Sequence, residues 1–212
     1  MFEKIKEKVK SILGKNGSHD LDHVDRVYDM CIHIGKLEGA DLEILKISAL
    51  LHDIGRPKQH ETKGKICHAQ HGAKLAKKIL EELGYKQATI NNVVHCISTH
   101  RFRKGKSPET LEAKILFDAD KLDSIGAVGI GRAFMYANEV GAKLHNDQNT
   151  NIKESAEHGP DDTAYREYLV KLSKVKNKLF TKSAKKIAEK RDKIMLDFFN
   201  NLNEEVWGTK DL

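Results

Sequence analysis

His52 and Asp53 stand side by side at the end of an apolar run, Ile44-Leu45-Lys46-Ile47-Ser48-Ala49-Leu50-Leu51, and Ile54-Gly55 follow them. A helix that carries an imidazole and a carboxylate to its last turn, then stops at glycine, delivers two ligand-type side chains to one place. His23 lies upstream, and Asp118 and Asp120 lie downstream. Two imidazoles with one or two carboxylates can hold a divalent metal and leave positions open for water and substrate. Such a mixed shell suits Mn, Fe, Co, Ni or Zn, or a weakly held Mg. The metal would lower the pKa of a bound water and polarise a phosphoryl oxygen, so hydrolysis would need no protein nucleophile. No Ser or Cys stands in an activating pattern.

Eleven histidines occur in the chain. His19 and His23 are four residues apart and share a helix face, with Arg26 one turn further on. His71 and His95 read as surface or core residues. His33, His60, His145 and His158 have no partner pattern.

The elements that must position these side chains are helical. Pro is confined to positions 57, 108 and 160, and no strand alternation is present. A first helix is predicted over Phe2 to Leu13, then a turn at Gly14 to Ser18. A second begins near His19-Asp20, with Val24, Val27, Met30, Cys31 and Ile34 on one face. Gly39-Ala40-Asp41 ends it, and Asp41 caps a third helix from Leu42 to His52. Residues Gly55 to Lys65 read as a polar loop, where a substrate-contacting segment would sit. Further helices fit His68 to Leu83, closed by Gly84, then Ala88 to His100 and Pro108 to Leu122. Gly126, Gly129 and Gly131 read as small residues that let two helices approach. From Gly141 to Asp162 the chain is polar and irregular, a lid or surface excursion. Tyr165, Tyr168, Leu169, Leu172, Val175 and Leu179 form one helical stripe; Ile187, Ile194, Met195, Phe198 and Phe199 form another.

Length and composition bound the rest. The 212 residues fit one large domain or one domain with an appendage, and 39% hydrophobic content gives a core. No stretch approaches the roughly 18 apolar residues of a membrane span. The charged amphipathic start has no signal-peptide core, so a cytoplasmic location and no membrane partner are expected. Cys31, Cys67 and Cys96 form no Cys-x-x-Cys pair and read as small buried hydrophobes. Net charge is +6, concentrated in C-terminal lysines. Glu189, Asp192 and Asp197 interleave with those lysines, and stacking aromatics are scarce, so a solvated face is favoured over nucleic-acid binding.

His23, His52-Asp53 and Asp120 match the H…HD…D signature of the HD-domain metal-dependent phosphohydrolase superfamily. The wider text resembles its YpgQ-like bacterial group: His19 to Val27, Glu38-Gly39-Ala40-Asp41, Leu50 to Ile54, Asp118 to Ala127, Ile130 to Phe134 and Ile187 to Arg191. The resemblance runs from about His19 to the C-terminal helices. It implies an all-α, single-domain HD-type helical bundle over 1–212. The metal-binding core would occupy about 19–140, the polar excursion about 141–162, and C-terminal helices about 163–207 would pack on the core.

Carried over by residue, the resemblance makes His23, His52, Asp53 and Asp120 the metal ligands. Asp53 is also the carboxylate placed to bridge to a second metal or to orient the attacking water. Asp118 is expected to support or cap rather than to ligate. Lys121 could neutralise a phosphate, with a solvated lysine as the alternative. Arg26 could fix a carboxylate or phosphate oxygen, with a structural ion pair as the alternative. His68, in His-x-x-x-Gly-Ala, and His100 resemble positions that hold a second metal in HD phosphodiesterases with binuclear centres. Otherwise they would contact phosphate or donate a proton to the leaving group.

The activity implied is a divalent-metal hydrolase, with Mn placed before Co, Ni, Fe, Mg or Zn. It would cleave a nucleoside triphosphate to the monophosphate and pyrophosphate. A phosphomonoesterase or cyclic-nucleotide phosphodiesterase with a binuclear site is the alternative, and a non-catalytic nucleotide-binding module is a further one. The complete ligand set counts against the last. The expected partner is a nucleotide or another phosphorylated small molecule. The stripe ending at Phe198, Phe199, Val206 and Trp207 would close the core or form a homodimer face.

Overall fold

The computed structural model describes residues 1–13, 21–101, 107–152 and 154–208. The expected turn at Gly14 to Ser18 and the helix start at His19-Asp20 lie outside the described residues. The described residues are helical, without a strand, and the chain divides into two compact units, Met1–Asp120 and Lys121–Leu212. No described helix is long and apolar enough to cross a membrane.

The first unit contains α1 (Phe2–Leu13), α2 (Leu21–Glu38), α3 (Leu42–Leu51), α4 (Arg56–Glu61), α5 (His68–Glu82), α6 (Gln87–Thr99) and most of α7 (Leu111–Leu122). α3 is its centre. Seven of its ten residues are buried, as a helix that is apolar on every side requires. α2, α6 and α1 pack around it, and α5 packs on α6. Asp41 starts α3 as expected: its Oδ1 accepts the backbone N–H groups of Glu43 (2.8 Å) and Ile44 (3.2 Å). Such a cap is worth about 1 kcal/mol.

The segment expected as a polar loop contains α4, a single helical stretch with Pro57 in its first turn. Proline there costs no hydrogen bond, because the first N–H groups of a helix have no partner to lose.

The second unit contains α8 (Gly126–Glu139), α9 (Ala164–Val170), a 3-10 helix (Leu172–Lys178) and α10 (Lys182–Trp207). α10 packs on α8 and on the 3-10 helix, and α9 packs on both of these. Its hub is Phe199, buried among Tyr168 (ring centroids 4.5 Å), Phe198 (5.2 Å) and Tyr165 (5.9 Å).

Three expectations change here. The stripe from Tyr165 to Leu179 is not one helix. It breaks at Lys171, whose φ is −135°, and continues as a 3-10 turn whose three-residue period puts Leu172 and Val175 inside. The core stripe of α10 is Ala184, Ala188, Met195 and Phe199, whereas Ile194 and Phe198 are exposed. Of the three glycines, only Gly126 meets another helix: its φ is +77° and a Cβ there would lie 2.9 Å from Arg191 Cγ. Gly129 makes room for the Ser124 carbonyl instead, and Gly131 has nothing within 4 Å.

The excursion at 141–162 is irregular but anchored. The buried Arg166 guanidinium donates to Asp162 Oδ1 (2.8 Å), the Ser155 hydroxyl (2.7 Å) and the Ser155 carbonyl (2.8 Å). Asn146 donates to the Asp161 carbonyl (2.9 Å) and accepts from the Thr163 hydroxyl (2.5 Å). His145 reaches Asn203 at 2.6 Å and stacks on Tyr165. Polar side chains turned inward and satisfied there hold this coil against its unit.

Candidate metal centre

Four ligand-type side chains of the first unit sit on the buried faces of their helices, in register with apolar residues. On α2, His23 shares the face of Val27, Cys31 and Ile34. On α6, His100 follows Val93, Cys96 and Ile97. On α5, His68 precedes Gly72, Ala76 and Ile79. On α7, Asp120 follows Ala113, Leu116 and Phe117. Helix packing therefore carries these polar groups inward together.

α3 and α6 end in the same way. His52 follows the last residue of α3, and its Nδ1 donates to the Ala49 carbonyl at 2.7 Å. His100 follows the last residue of α6, and its Nδ1 donates to the Ile97 carbonyl at 2.6 Å. A carbonyl can only accept, so each ring carries a proton on Nδ1 and turns its Nε2 into the site.

Asp53 stands between two donor groups. Its Oδ2 lies 3.6 Å from His52 Nε2, 3.7 Å from His23 Nε2 and 3.0 Å from Arg56 Nε. Its Oδ1 lies 3.4 Å from His68 Nε2 and 3.6 Å from His100 Nε2. His23 Nε2 is 3.3 Å from His52 Nε2 and 3.5 Å from Asp120 Oδ1. His68 Nε2 is 3.1 Å from His100 Nε2. His23, His52 and Asp120 thus form one set of converging donors, and Asp53, His68 and His100 form a second.

These separations fit a metal. An ion about 2.1 Å from each donor sets neighbouring donors about 3.0–3.5 Å apart. Electrostatics agree. Burial pushes the His52 imidazole down to about 4, against the pull of the Asp53 carboxylate. Burial and the Arg56 guanidinium push His68 well below the usual imidazole range. Both rings are therefore neutral near pH 7, the form that binds a metal.

Asp118 is buried on α7 but belongs to neither donor set. Arg26 is half-buried on α2, one turn past His23, and Lys121 is half-buried in the last turn of α7. Sequence reasoning missed Arg56 and Gln59, both on the unexpected α4. Arg56 follows Asp53 by three residues, a spacing that could have revealed it. Gln59 Oε1 lies 2.6 Å from His68 Nδ1, a partner nine residues away that no helical period links to it.

An all-α fold with two imidazole–carboxylate donor sets meeting at an adjacent His-Asp pair defines the class. The chain belongs to the HD-domain family of hydrolases, in its YpgQ-like group: the HD domain matches residues 20–125, and YpgQ is a full-length relative. The chain is 35% identical to YpgQ of Bacillus subtilis over 97% of its own length and 94% of that protein. The crystal structure of Bacillus subtilis YpgQ in complex with ADP matches with a TM-score of 0.76 at 31% identity, covering 96% of this chain and 94% of that one. An HD-superfamily hydrolase from Bacillus thuringiensis matches with a TM-score of 0.76 at 30% identity, covering 99% and 97%.

Proposed function

We propose that this chain is a divalent-metal phosphohydrolase acting on nucleotides, cleaving a nucleoside triphosphate to the monophosphate and pyrophosphate. The observation that carries the reading is Asp53, one buried carboxylate whose two oxygens face two separate donor sets. The nucleotide part draws on the ADP complex of the similar YpgQ.

In this reading His23, His52, Asp53 and Asp120 hold the first metal, with Mn the first choice. When bound, a divalent ion would lower the pKa of a water and draw charge from a phosphoryl oxygen. The protein's own part is to orient and to exclude bulk water. Asp53 is turned by Arg56 and is positioned to orient the attacking water. Asp118 would steady the ligand helix from within it. Lys121 and Arg26 are proposed as partners for phosphate charge, the planar fork of Arg26 suiting two oxygens at once.

The second donor set favours one rival reading. Asp53, His68 and His100 could hold a second ion, which suits a phosphomonoesterase or a cyclic-nucleotide phosphodiesterase. The deciding assay supplies chelator-stripped protein with Mn, Co, Ni, Mg or Zn and reads pyrophosphate and orthophosphate separately on a nucleotide panel. Metal-dependent pyrophosphate with a nucleoside monophosphate supports the first reading. Orthophosphate alone, or a ring-opened cyclic nucleotide, moves the assignment to the second. Silence with every metal overturns both.

A further inference from the structure

His68 is held differently from His52 and His100, whose Nδ1 atoms meet carbonyls three residues back. It is the first residue of α5, so no carbonyl of its own helix lies behind its ring. The partner comes instead from α4. Gln59 Oε1 lies 2.6 Å from His68 Nδ1, 3.2 Å from the His68 backbone nitrogen and 3.1 Å from Arg101 Nη1.

The chemistry of these neighbours fixes two assignments. A backbone N–H and a guanidinium can only donate. The atom they share must be the amide oxygen of Gln59, because an amide nitrogen would set donor against donor. An oxygen there leaves His68 Nδ1 one role, that of donor. The His68 proton therefore sits on Nδ1, and Nε2 keeps its lone pair toward Asp53 and His100. His100 likewise carries a proton on Nδ1, donated to the Ile97 carbonyl. The two Nε2 atoms face each other at 3.1 Å beside the Asp53 carboxylate, an arrangement that a cation completes.

We infer that Gln59 is a positioning residue for the Asp53–His68–His100 donor set: its side-chain oxygen selects the tautomer and ring orientation of His68. α4 is built to place it. The Gln59 N–H donates to the Gly55 carbonyl (3.2 Å) and its carbonyl accepts from Gly64 (2.8 Å), which fixes its backbone at both ends. The effect on metal uptake rests on the two-metal reading above. The tautomer does not, since it is a property of the protein without metal.

The test uses the full chain with 15N-labelled histidine, stripped of metal, in two-bond 15N–1H correlation spectra. The His68 signals are identified by their loss in His68→Asn. Wild type should show His68 protonated on Nδ1. Gln59→Leu should release it to a mixture or to the Nε2–H form, and Gln59→Glu, which keeps an acceptor oxygen, should restore the wild-type pattern. Titration of the same proteins with Mn should show the weaker of two sites lose about 10–100-fold in affinity in Gln59→Leu, with the tighter site unmoved. An Nε2–H His68 in wild type overturns the inference, whether or not Gln59→Leu folds. So does a Gln59→Leu protein with both tautomer and Mn affinities unchanged. A wild type that takes one Mn, yet shows the Gln59-dependent tautomer, refutes the two-metal reading and upholds Gln59 as the residue that sets His68.

Discussion

Gly55 lies so near His68 that a Cβ placed on it would sit 2.2 Å from the His68 carbonyl oxygen. The Gly72 backbone nitrogen would be 2.7 Å away. The backbone of Gly55 is in an ordinary right-handed conformation, so glycine is needed there for space and not for torsion. Because backbone cannot swing aside, Gly55→Ala should push the start of α5 off the turn that carries Asp53. We expect a loss of about 1–3 kcal/mol in stability and weaker metal uptake by the Asp53–His68–His100 set. A thermal melt and a metal titration of the variant check both, and an unchanged melting temperature would contradict the packing described.

Asp53→Ala should abolish hydrolysis while the helical circular dichroism signal persists. The variant removes the oxygens that face both donor sets, and it also leaves Arg56 without the carboxylate at 3.0 Å. Activity above a few per cent of wild type would sink the assigned site.

His100→Ala should slow turnover without dislodging a metal from the set proposed at His23, His52 and Asp120. His100 reaches Asp53 Oδ1 and His68, and it belongs only to the second donor set. Elemental analysis after gel filtration reads the result. Loss of all metal from this variant would show that the two sets are not separable.

The proposed ligands run from His23 to Asp120, so metal can bind only when the first unit is folded around it. Free metal at 100 times its dissociation constant should then add about 2.7 kcal/mol to stability. A melt in Mn against a melt in chelator measures this. Coincident curves would mean that no site of that strength forms.

Phe199→Ala should cost about 3–5 kcal/mol. The ring is fully buried and lies among Tyr168, Tyr165 and Phe198. Chemical denaturation gives the value, and a cost under 1 kcal/mol would show that this hub can collapse on itself.

What the sequence disclosed follows physical lines. α1 and α3 were legible because their apolar spacing or saturation is long enough to show, and Asp41 because capping is a local matter between a side chain and N–H groups two and three residues on. The proposed donors His23, His52, Asp53 and Asp120 stood out because an imidazole and a carboxylate side by side close an apolar run, with His23 before and Asp120 after in the H…HD…D pattern. α4 did not stand out: six residues are too few to display a period, and Pro57 reads as a breaker unless its place in the first turn is known. Arg56 and Gln59 were lost with it. The stripe from Tyr165 to Leu179 misled because a 3-10 turn and an α-helix bury residues three apart alike. Phe198 and Phe199 are neighbours in sequence, and only packing decides which of the two faces inward.

The coil at 141–162 is tied at Asn146, Ser155 and Asp162 by hydrogen bonds to buried or half-buried partners. Coils of this length ordinarily open by themselves, with little free energy, many times for each opening of the fold. At these anchors, freeing the coil means stripping Arg166 and Thr163 of their partners inside the unit. The His158 amide, bonded to Asp162 Oδ2 at 2.8 Å, should therefore exchange its hydrogen with solvent about as slowly as the amides of α9. In the time domain, the anchored points of this irregular stretch should be among the last parts of its unit to let water in.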